Sequence, residues 1–302
     1  MSVLYRRVAF IGIGLIGSSM SRAMRRDGTC ETIVACARRA ETLDTVRKLE
    51  LADVVTADYV EAVKDADLVV IATPVGTNGD IAKIIGPHLK PGATVTDVGS
   101  VKQAVVNAVQ PHIPEGVHFI PGHPLAGTEH SGPESGFPEL FEGRWTILTP
   151  LPGANAAAVE KLSTLWRTMG AKLATMDPVH HDQVLAITSH LPHLIAYTIV
   201  GTASDLADDL RQEVIQYSAS GFRDFTRIAA SDPVMWRDIF MNNRDAVLEV
   251  LQRFTEDLTQ MQRLVRKGDG QALQDVFTRG RAIRRGIVDA KQADPEEAKR
   301  HG

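Results

Sequence analysis

The strongest constraint on the fold is an alternation of short apolar runs and amphipathic segments between Val8 and Val98. The apolar runs read RVAFIG, TIVACA, DLVVIATPV and ATVTDVG, whereas Leu15 to Arg26 and Ala40 to Leu49 have helical spacing. This alternation predicts a parallel sheet with helices on both faces. Continuous apolar strands such as Leu68 to Ala72 suit it, because its strands are buried on both sides. We therefore expect a doubly wound α/β domain at the N-terminus.

Three further strands and one helix are predicted before the pattern changes. The strands are Val117 to Ile120, Trp145 to Leu148 and Lys172 to Met176, and the helix is Ala156 to Met169.

The predicted secondary structure changes from mixed strands and helices to helices after Met176. Asp177 and Pro178 are typical of an N-cap and a first helical residue, and strand patterns become rare beyond them. We therefore expect a Rossmann-type domain over residues 1–176, followed by an all-helical domain over residues 177–302.

Within the helical part, apolar residues recur at spacings of three and four, which is typical of a helix packed on a neighbour. They are Leu248, Leu251, Phe254, Leu258, Met261 and Val265. The polar tail, from about residue 293, is expected to be disordered.

A glycine motif, GIGLIG, follows the first predicted strand and precedes the first helix. In a dinucleotide-binding loop, its glycines give a tight turn, close approach of a pyrophosphate and close helix packing. The motif by itself is weak, because a glycine turn between any buried strand and helix reads the same way. The strand and helix around it make the prediction specific. We expect Gly12, Gly14, Leu15, Ile16 and Gly17 to bind a dinucleotide.

The type of dinucleotide depends on the end of the second strand. An NAD-binding fold usually has a carboxylate there, about twenty residues past the glycines, but this chain has Ala37 followed by Arg38 and Arg39. Guanidinium groups can bind a ribose 2′-phosphate through charge-assisted contacts, so the sequence favours NADP, with NAD possible. The alternative is that both arginines only begin a solvated loop.

Thr73, Pro74 and Val75 end the strand from Leu68, at the edge where open parallel sheets bind ligands. We expect them to border the nicotinamide. Alternatively, Thr-Pro is only a strand terminator.

His123 stands in the segment GHPLAGTEHSG, just past the apolar run Val117 to Ile120. Oxidation of an alcohol needs a group that takes the hydroxyl proton, and histidine is the side chain most often used for this. Ser100, in TDVGSVK, follows another strand and could hold a substrate hydroxyl or an imidazole. The alternatives are a structural turn histidine for His123 and an N-cap for Ser100.

The segment ITSHLPHLIAY places His190 and His193 one turn apart on a predicted helix. Pro192 removes a backbone donor there, so we expect a local kink and freed carbonyls. Neither this pair nor His180 and His181 matches a zinc motif, and we predict no metal. One histidine is expected to bind substrate and the other to be packed.

The segment SGFRDFTRIAASDPVMWRDIF contains arginine and aspartate residues among aromatic and aliphatic ones. Arginine at position 223, 227 or 237 could bind a substrate carboxylate. The alternative is an internal ion pair with Asp224 or Asp238, and we expect at least one arginine to form one.

Composition excludes several classes of protein. With 33 basic and 37 acidic residues and a formal charge of -4, the chain has no broad basic field for nucleic acid. Its two cysteines, Cys30 and Cys36, indicate neither a disulfide framework nor a metal site. Glycines interrupt the first apolar segment, unlike a signal peptide or a membrane span. We expect a soluble cytoplasmic protein without a membrane partner.

Taken in order, GIGLIG, DLVVIATPV, TDVGSVK, GHPLAGTEHSG, SHLPH and GFRDFTRIAASDPVMW resemble the prephenate/arogenate dehydrogenase family of tyrosine biosynthesis, over nearly the whole chain. GHPLAGTEHSG with SHLPH and DFTRIA is far more specific than the glycine loop. The resemblance implies a Rossmann domain and a helical substrate domain that forms a homodimer, with the active site between them. The implied reaction removes hydride from the hydroxyl-bearing carbon of a cyclohexadiene, after which loss of carbon dioxide makes the ring aromatic.

The resemblance also implies roles for particular residues. His123 matches the catalytic histidine that polarises the hydroxyl, and Ser100 matches the serine that assists it. His193 and Arg227 match substrate-binding positions, and Arg227 would neutralise a substrate carboxylate. Thr128 is assigned to the same pocket.

Two departures from the family pattern bear on specificity. Ala37-Arg38 replaces the acidic residue of some members, which puts NAD preference in doubt. Ala219 and Ser220 replace a glycine pair, so Ser220 is expected near the substrate's pyruvyl or alanyl arm, and prephenate against arogenate stays open. The chain before Val8 and after Ala290 is too short for a fused mutase or regulatory domain, so we expect neither.

Two other readings compete with this one. A 3-hydroxyacid or 6-phosphogluconate type of dehydrogenase has the same layout, but usually places a lysine in the helical domain where this chain has SHLPH. A noncatalytic NADP-sensing interaction protein would keep the Rossmann fold, but need not keep His123, Ser100, His193 and Arg227 together.

Overall fold

The computed structural model describes residues 3–128, 130–205 and 220–289, with the side chains of 287–289 left out. The tail predicted from about residue 293 and Ala219 lie outside the described residues.

The first half of the chain forms a six-stranded parallel sheet in the order β3-β2-β1-β4-β5-β6. Its strands are β1 Tyr5–Ile11, β2 Cys30–Cys36, β3 Val54–Thr56, β4 Leu68–Ile71, β5 Thr94–Asp97 and β6 His118–Phe119. Its helices are α1 Leu15–Arg26, α2 Ala40–Lys48, α3 Tyr59–Val63, α4 Asn78–Ile85 and α5 Gln103–Val109. The strand order reverses between β1 and β4, because β2 and β3 lie on one side of β1 and β4 to β6 on the other. Ligands bind at such a switch point, outside the carboxyl ends of the strands.

Alternate residues of β1 enter two separate cores. Val8 and Phe10 pack into one apolar cluster, and Ala9 and Ile11 into the other. Both faces of the sheet are therefore buried, which explains the continuous apolar strands. The doubly wound α/β fold expected from the sequence is confirmed.

A second, three-stranded sheet lies beyond the first. It consists of β7 Gly122–Pro124, antiparallel to β8 Trp145–Leu148, which is parallel to β9 Lys172–Thr175, and α6 Ala156–Thr168 connects β8 to β9. The strands near residues 145 and 172 were predicted, but β7 was not. It has three residues, Gly-His-Pro, so no apolar alternation marks it.

The rest of the described chain is helical. It comprises α7 Pro178–Leu185, a π-helical turn Ala186–His190, α8 Leu191–Asp205, α9 Ser220–Thr226, α10 Pro233–Asn242, α11 Arg244–Lys267 and α12 Gly270–Asp289. Asp177 accepts a hydrogen bond from the backbone N–H of His180 and caps α7, as predicted. The irregularity expected at Pro192 is the π turn directly before it, and such turns are frequent at functional sites.

Two compact units divide the chain, Met1–Val247 and Leu248–Gly302. This division falls inside α11, so a domain boundary at residue 176 stays a prediction. The apolar stripe expected on α11 lies on a helix, but half of it is uncovered: Leu248, Leu258 and Val265 are exposed.

Candidate active site

His123 lies on β7, beside the carboxyl end of β5. The backbone N–H of Gly122 donates to the carboxylate of Asp97, the last residue of β5, at 3.3 Å. A Cβ on Gly122 would lie 3.1 Å from the Asp97 carbonyl oxygen, so glycine permits this close approach. The imidazole of His123 is 8% exposed. His123 therefore lies near the carboxyl ends of the parallel strands, the edge at which the sequence analysis expects ligands.

A chain of hydrogen bonds runs from His123 into the helical region. Nδ1 of His123 lies 2.9 Å from Nε2 of His181, and Nδ1 of His181 lies 2.8 Å from Oδ1 of Asp182. An ionised carboxylate only accepts, so Nδ1 of His181 carries a proton and donates it to Asp182. Nε2 of His181 then accepts from Nδ1–H of His123. This assignment leaves Nε2 of His123 with its lone pair as a proton acceptor.

Nε2 of His123 is not completely buried, and it has no hydrogen bond to any described residue. Burial lowers the pKa of His123 well below its usual range, and the neighbouring His181, Lys102 and His190 side chains lower it further. Burial also lowers the pKa of His181, although its hydrogen bond to Asp182 opposes this. His123 is therefore neutral near pH 7, as a base must be.

The Asp182 carboxylate has two further donors. It accepts from the backbone N–H groups of Lys102, at 2.8 Å, and Gln103, at 2.9 Å, at the start of α5. The N-terminus of a helix favours a negative charge, so α5 stabilises the end of the hydrogen-bond chain. Lys102, not Ser100, is the N-cap residue of α5, and Asp182 takes the place of a capping side chain. The N-cap alternative for Ser100 is therefore wrong.

His190 and His193 differ in burial and in their partners. His190 is fully buried, and the Nδ2 group of Asn243 lies 3.0 Å from its Nδ1 and donates to the Asp182 carbonyl at 2.9 Å. Burial lowers the pKa of His190 to about 4. His193 is partly exposed and stacks on Trp236, with ring centroids 3.7 Å apart.

The π turn fixes the orientation of His193. Its Nδ1 lies 2.8 Å from the carbonyl of Ser189, in the π turn Ala186–His190, so Nδ1 carries the proton and donates. The Nε2 atom then keeps a lone pair. Burial lowers the pKa of His193, and the charge of Arg227 lowers it further, which places Arg227 in its neighbourhood.

The other predicted substrate residues are less closely tied to this network. Arg227 is exposed and begins a 3₁₀ turn after α9. Ser100 is half-buried. Its backbone raises the pKa of His190 and so offsets part of the effect of burial. Thr128 is exposed and accepts the backbone N–H of His130 at 3.2 Å, and Ser220 is the exposed first residue of α9. The sequence prediction of an arginine ion pair is met by Arg237 and Asp238, with Nη2 and Oδ1 2.7 Å apart.

The glycine loop fits a dinucleotide. Gly12 has φ +90°, and a Cβ there would lie 2.6 Å from the carbonyl oxygen of Ala72, whereas a Cβ on Gly17 would lie 2.9 Å from the Gly12 carbonyl. Packing therefore requires both glycines. A Cβ on Gly14 would meet nothing within 4 Å, and α1 has no side-chain cap. Open space before uncapped backbone N–H groups is what an anionic pyrophosphate requires.

Two exposed arginines follow the end of the second strand. Arg38 and Arg39 are exposed, and neither is in an ion pair with a described carboxylate. Ala37 leaves no carboxylate of its own at this point. The charge of Arg38 acts on the Tyr59 phenol, at the start of α3, and opposes the rise that burial causes in its pKa.

Thr73, Pro74 and Val75 form more than a strand terminator. The Oγ1 of Thr73 donates to Oδ1 of Asn78, at 3.2 Å, and accepts from Oγ1 of Thr77, at 2.9 Å. A Cβ on Gly12 would lie 2.9 Å from the methyl carbon of Thr73. Thr73 thus holds the turn after β4 against the glycine loop. Within the part of the chain that the structure describes, no group of three or more possible metal ligands occurs.

Several residues of this network were not identified from the sequence. His181 was considered only against zinc motifs, Lys102 was noted without a role, and Asp182, Asn243 and Trp236 were not singled out. One signal was available: His181 and Asp182 are adjacent polar residues just before a largely apolar run, and if they are buried they need internal partners. Those partners are distant in sequence, and a reading of local motifs does not find them.

Comparison with known proteins agrees with this site. A family model described as the prephenate dehydrogenase nucleotide-binding domain matches residues 20–175, and one described as the prephenate dehydrogenase dimerization domain matches residues 177–279. The chain belongs to the prephenate dehydrogenase family. The resemblance found in the sequence motifs is thereby confirmed.

Relatives and solved structures extend over nearly the full chain. A cyclohexadienyl dehydrogenase from Zymomonas mobilis is 40% identical, over 93% of this chain and 96% of its own. A prephenate dehydrogenase from Bacillus subtilis is 32% identical, over 95% and 77%. A crystal structure of prephenate dehydrogenase from A. aeolicus, in complex with hydroxyphenyl propionate and NAD+, has a TM-score of 0.87 at 32% identity, covering 95% of this chain and 99% of that one.

Proposed function

We propose that this member of the prephenate dehydrogenase family oxidatively decarboxylates prephenate or arogenate, with transfer of hydride to NADP⁺ or NAD⁺, in tyrosine biosynthesis. The observation that carries the proposal is the hydrogen-bond chain from His123 through His181 to Asp182. It leaves a neutral imidazole whose Nε2 lone pair no described residue engages, at the sheet edge where a dinucleotide binds. A dehydrogenase that acts on an alcohol needs such a group.

The steps follow from the residues. A bound oxidised nicotinamide supplies the hydride acceptor. Nε2 of His123 accepts the proton of the substrate hydroxyl while the hydroxyl-bearing carbon loses its hydride. The ring carboxylate then leaves as carbon dioxide, and its bonding electrons complete the aromatic ring. Asp182 stabilises the positive charge that develops on His123, because the carboxylate reaches it through His181.

Recognition of the substrate is assigned to the outer part of the network. Arg227 would neutralise a substrate carboxylate, a contact worth roughly 1.5–3 kcal/mol. His193 would bind the substrate through Nε2, since Nδ1 is engaged with Ser189. We assign Ser100 to orienting the hydroxyl against His123, and Thr128 and Ser220 to the substrate's side arm.

The preferred cofactor is proposed to be NADP. Gly12, Gly14, Leu15, Ile16 and Gly17 would hold the pyrophosphate, and the turn from Thr73 to Val75 would border the nicotinamide. Exposed Arg38 and Arg39, which form no ion pair with a described carboxylate, support a 2′-phosphate. A relative solved with NAD+ leaves this preference to experiment.

A homodimer formed through the helical region is proposed as the working state. Among the described residues, the helical run Pro178–Asp205 is long and apolar enough to span a membrane by length and composition, with a mean hydropathy of 1.4. It also contributes buried His181 and Asp182 to the polar network, which a lipid environment would not favour. Its exposed Ile187, Ile199 and Val200 suit the surface of a second copy. We propose a soluble, cytoplasmic dimer.

The test combines the two acids with the two cofactors. Purified protein is mixed with prephenate or arogenate, each with NADP⁺ or NAD⁺, and the absorbance of reduced nicotinamide is followed. We expect turnover with at least one acid, faster with NADP⁺ than with NAD⁺. Four silent mixtures, with protein that binds a dinucleotide, would contradict the proposed function.

A further inference from the structure

A fully buried ion pair lies next to the hydrogen-bond chain. The Nζ group of Lys102 donates to Oδ2 of Asp97, and both side chains are 0% exposed. Burying two charges is costly unless each is paired and hydrogen-bonded. The position of the pair beside His123 suggests a role at the active site.

Lys102 contacts both ends of the series of hydrogen bonds that links His123 to Asp182. Its Nζ donates to the carbonyl of Gly122, at 2.7 Å, in the peptide bond that precedes His123. Its backbone N–H donates to Oδ1 of Asp182, at 2.8 Å, the oxygen that also accepts from His181. One residue thus fixes β7 and the far end of the chain at once.

Asp97 completes the clamp. Oδ1 accepts the backbone N–H of Gly122 and Oδ2 accepts that of Gly99, at 2.8 Å. A Cβ on Gly99 would lie 3.0 Å from Oδ2 of Asp97 and 2.6 Å from Cγ1 of Val75. A larger residue at position 99 would therefore collide with Val75 and with the Asp97 carboxylate.

We propose that Lys102 and Asp97 are positioning residues of the dehydrogenase reaction, holding the peptide before His123 and setting the electrostatic potential at its imidazole. This inference rests on the proposed function for its kinetic readout. The groups that face His123 are His181 and Asp182 of α7, Lys102 and Asp97 at the end of β5 and the start of α5, and His190 of the π turn. Of these, Lys102 and Asp97 form a pair whose charges can be removed one at a time.

The two substitutions have opposite electrostatic consequences. Lys102 lowers the pKa of His123, so Lys102→Met leaves the Asp97 carboxylate uncompensated and should raise it. Burial lowers the pKa of Lys102 and Asp97 opposes this, so Asp97→Asn leaves the ammonium group uncompensated. Wherever Lys102 keeps its proton, this variant should lower the pKa of His123. A role confined to packing would weaken the site in both variants without shifting them in opposite directions.

The experiment measures the acid limb of the kcat/KM profile with the preferred acid and cofactor. We expect the limb to move by about 0.5 to 1 pH unit toward higher pH in Lys102→Met, and toward lower pH in Asp97→Asn. The double variant Asp97→Asn with Lys102→Gln keeps donors and shape without either charge, so its limb should lie between the two. If Lys102→Met does not fold, the difference between Asp97→Asn and this double variant carries the test. Equal limbs, or shifts of the same sign, would overturn the proposal.

A matched control exists in the same sheet. Lys90 pairs with Asp67 at the amino ends of the strands, away from His123, and Asp67 likewise accepts backbone N–H groups, those of Arg6 and Arg7. Lys90→Met should leave the acid limb where it is.

A second readout separates this inference from the proposed function. Nitrogen-15 spectra of the histidines, without substrate, report the pKa of His123 directly once its signal is assigned with His123→Asn. The opposite shifts should appear there even if neither acid is turned over. Turnover without these shifts would reject the inference and leave the function standing.

Discussion

The surroundings of His123 and the cofactor edge of the six-stranded sheet differ in how their polar groups are satisfied. Around His123, the carboxylates of Asp97 and Asp182 and the ammonium group of Lys102 bind one another and the backbone, all buried. At the cofactor edge, Gly14 faces open space and Arg38 is exposed. The first region is organised by the protein before any ligand binds, whereas the second presents groups that a ligand would complete.

This difference orders the effects of substitution. Preorganised groups at the reacting atom contribute to the transition state, so their loss lowers kcat. Exposed groups contribute to binding and discriminate between ligands, so their loss changes KM or a ratio of efficiencies.

The largest effect is expected at His123. His123→Asn removes the proton acceptor but keeps a polar side chain, so kcat should fall about 10²- to 10⁴-fold while the dinucleotide still binds. Steady-state rates and a cofactor titration measure the two quantities. His180→Asn, at an exposed histidine on the same helix as His181, is the control and should be near wild type. Near-normal turnover of His123→Asn would remove this residue from the chemistry.

The sequence predicted one region better than the other for a physical reason. The glycine loop, its strand and helix and the end of the second strand are contiguous, so local spacing predicts that Gly12, Gly14 and Arg38 follow β1 and β2, where the structure has them. His123 was found as a residue but not as part of β7. Its partners His181 and Asp182 are 58 and 59 positions away, and Asn243 is farther still. Hydrogen bonds over such separations leave no local pattern, so only the fold reveals them.

A smaller effect is expected at Arg227, which is exposed and lies close enough to His193 to lower its pKa. If it binds a substrate carboxylate, Arg227→Ala should raise the KM for the acid roughly 10- to 100-fold, with a smaller change in kcat. Arg223→Ala, an exposed arginine on the preceding helix α9, serves as the comparison. An unaltered KM and kcat in Arg227→Ala, or a larger defect in Arg223→Ala, would assign the carboxylate elsewhere.

The smallest effect, on cofactor choice, is expected at Arg38. The contact with a 2′-phosphate exists for NADP⁺ and not for NAD⁺, so Arg38→Ala should lower the ratio of their kcat/KM values about tenfold, equivalent to about 1.4 kcal/mol. The kcat/KM with NAD⁺ should change little, because its ribose carries no 2′-phosphate for Arg38 to bind. Arg47→Ala on α2 removes an exposed arginine that pairs with Asp44 and should leave the ratio unchanged. An unchanged ratio in Arg38→Ala would mean that this open edge does not discriminate between the cofactors and that its arginines are only solvated.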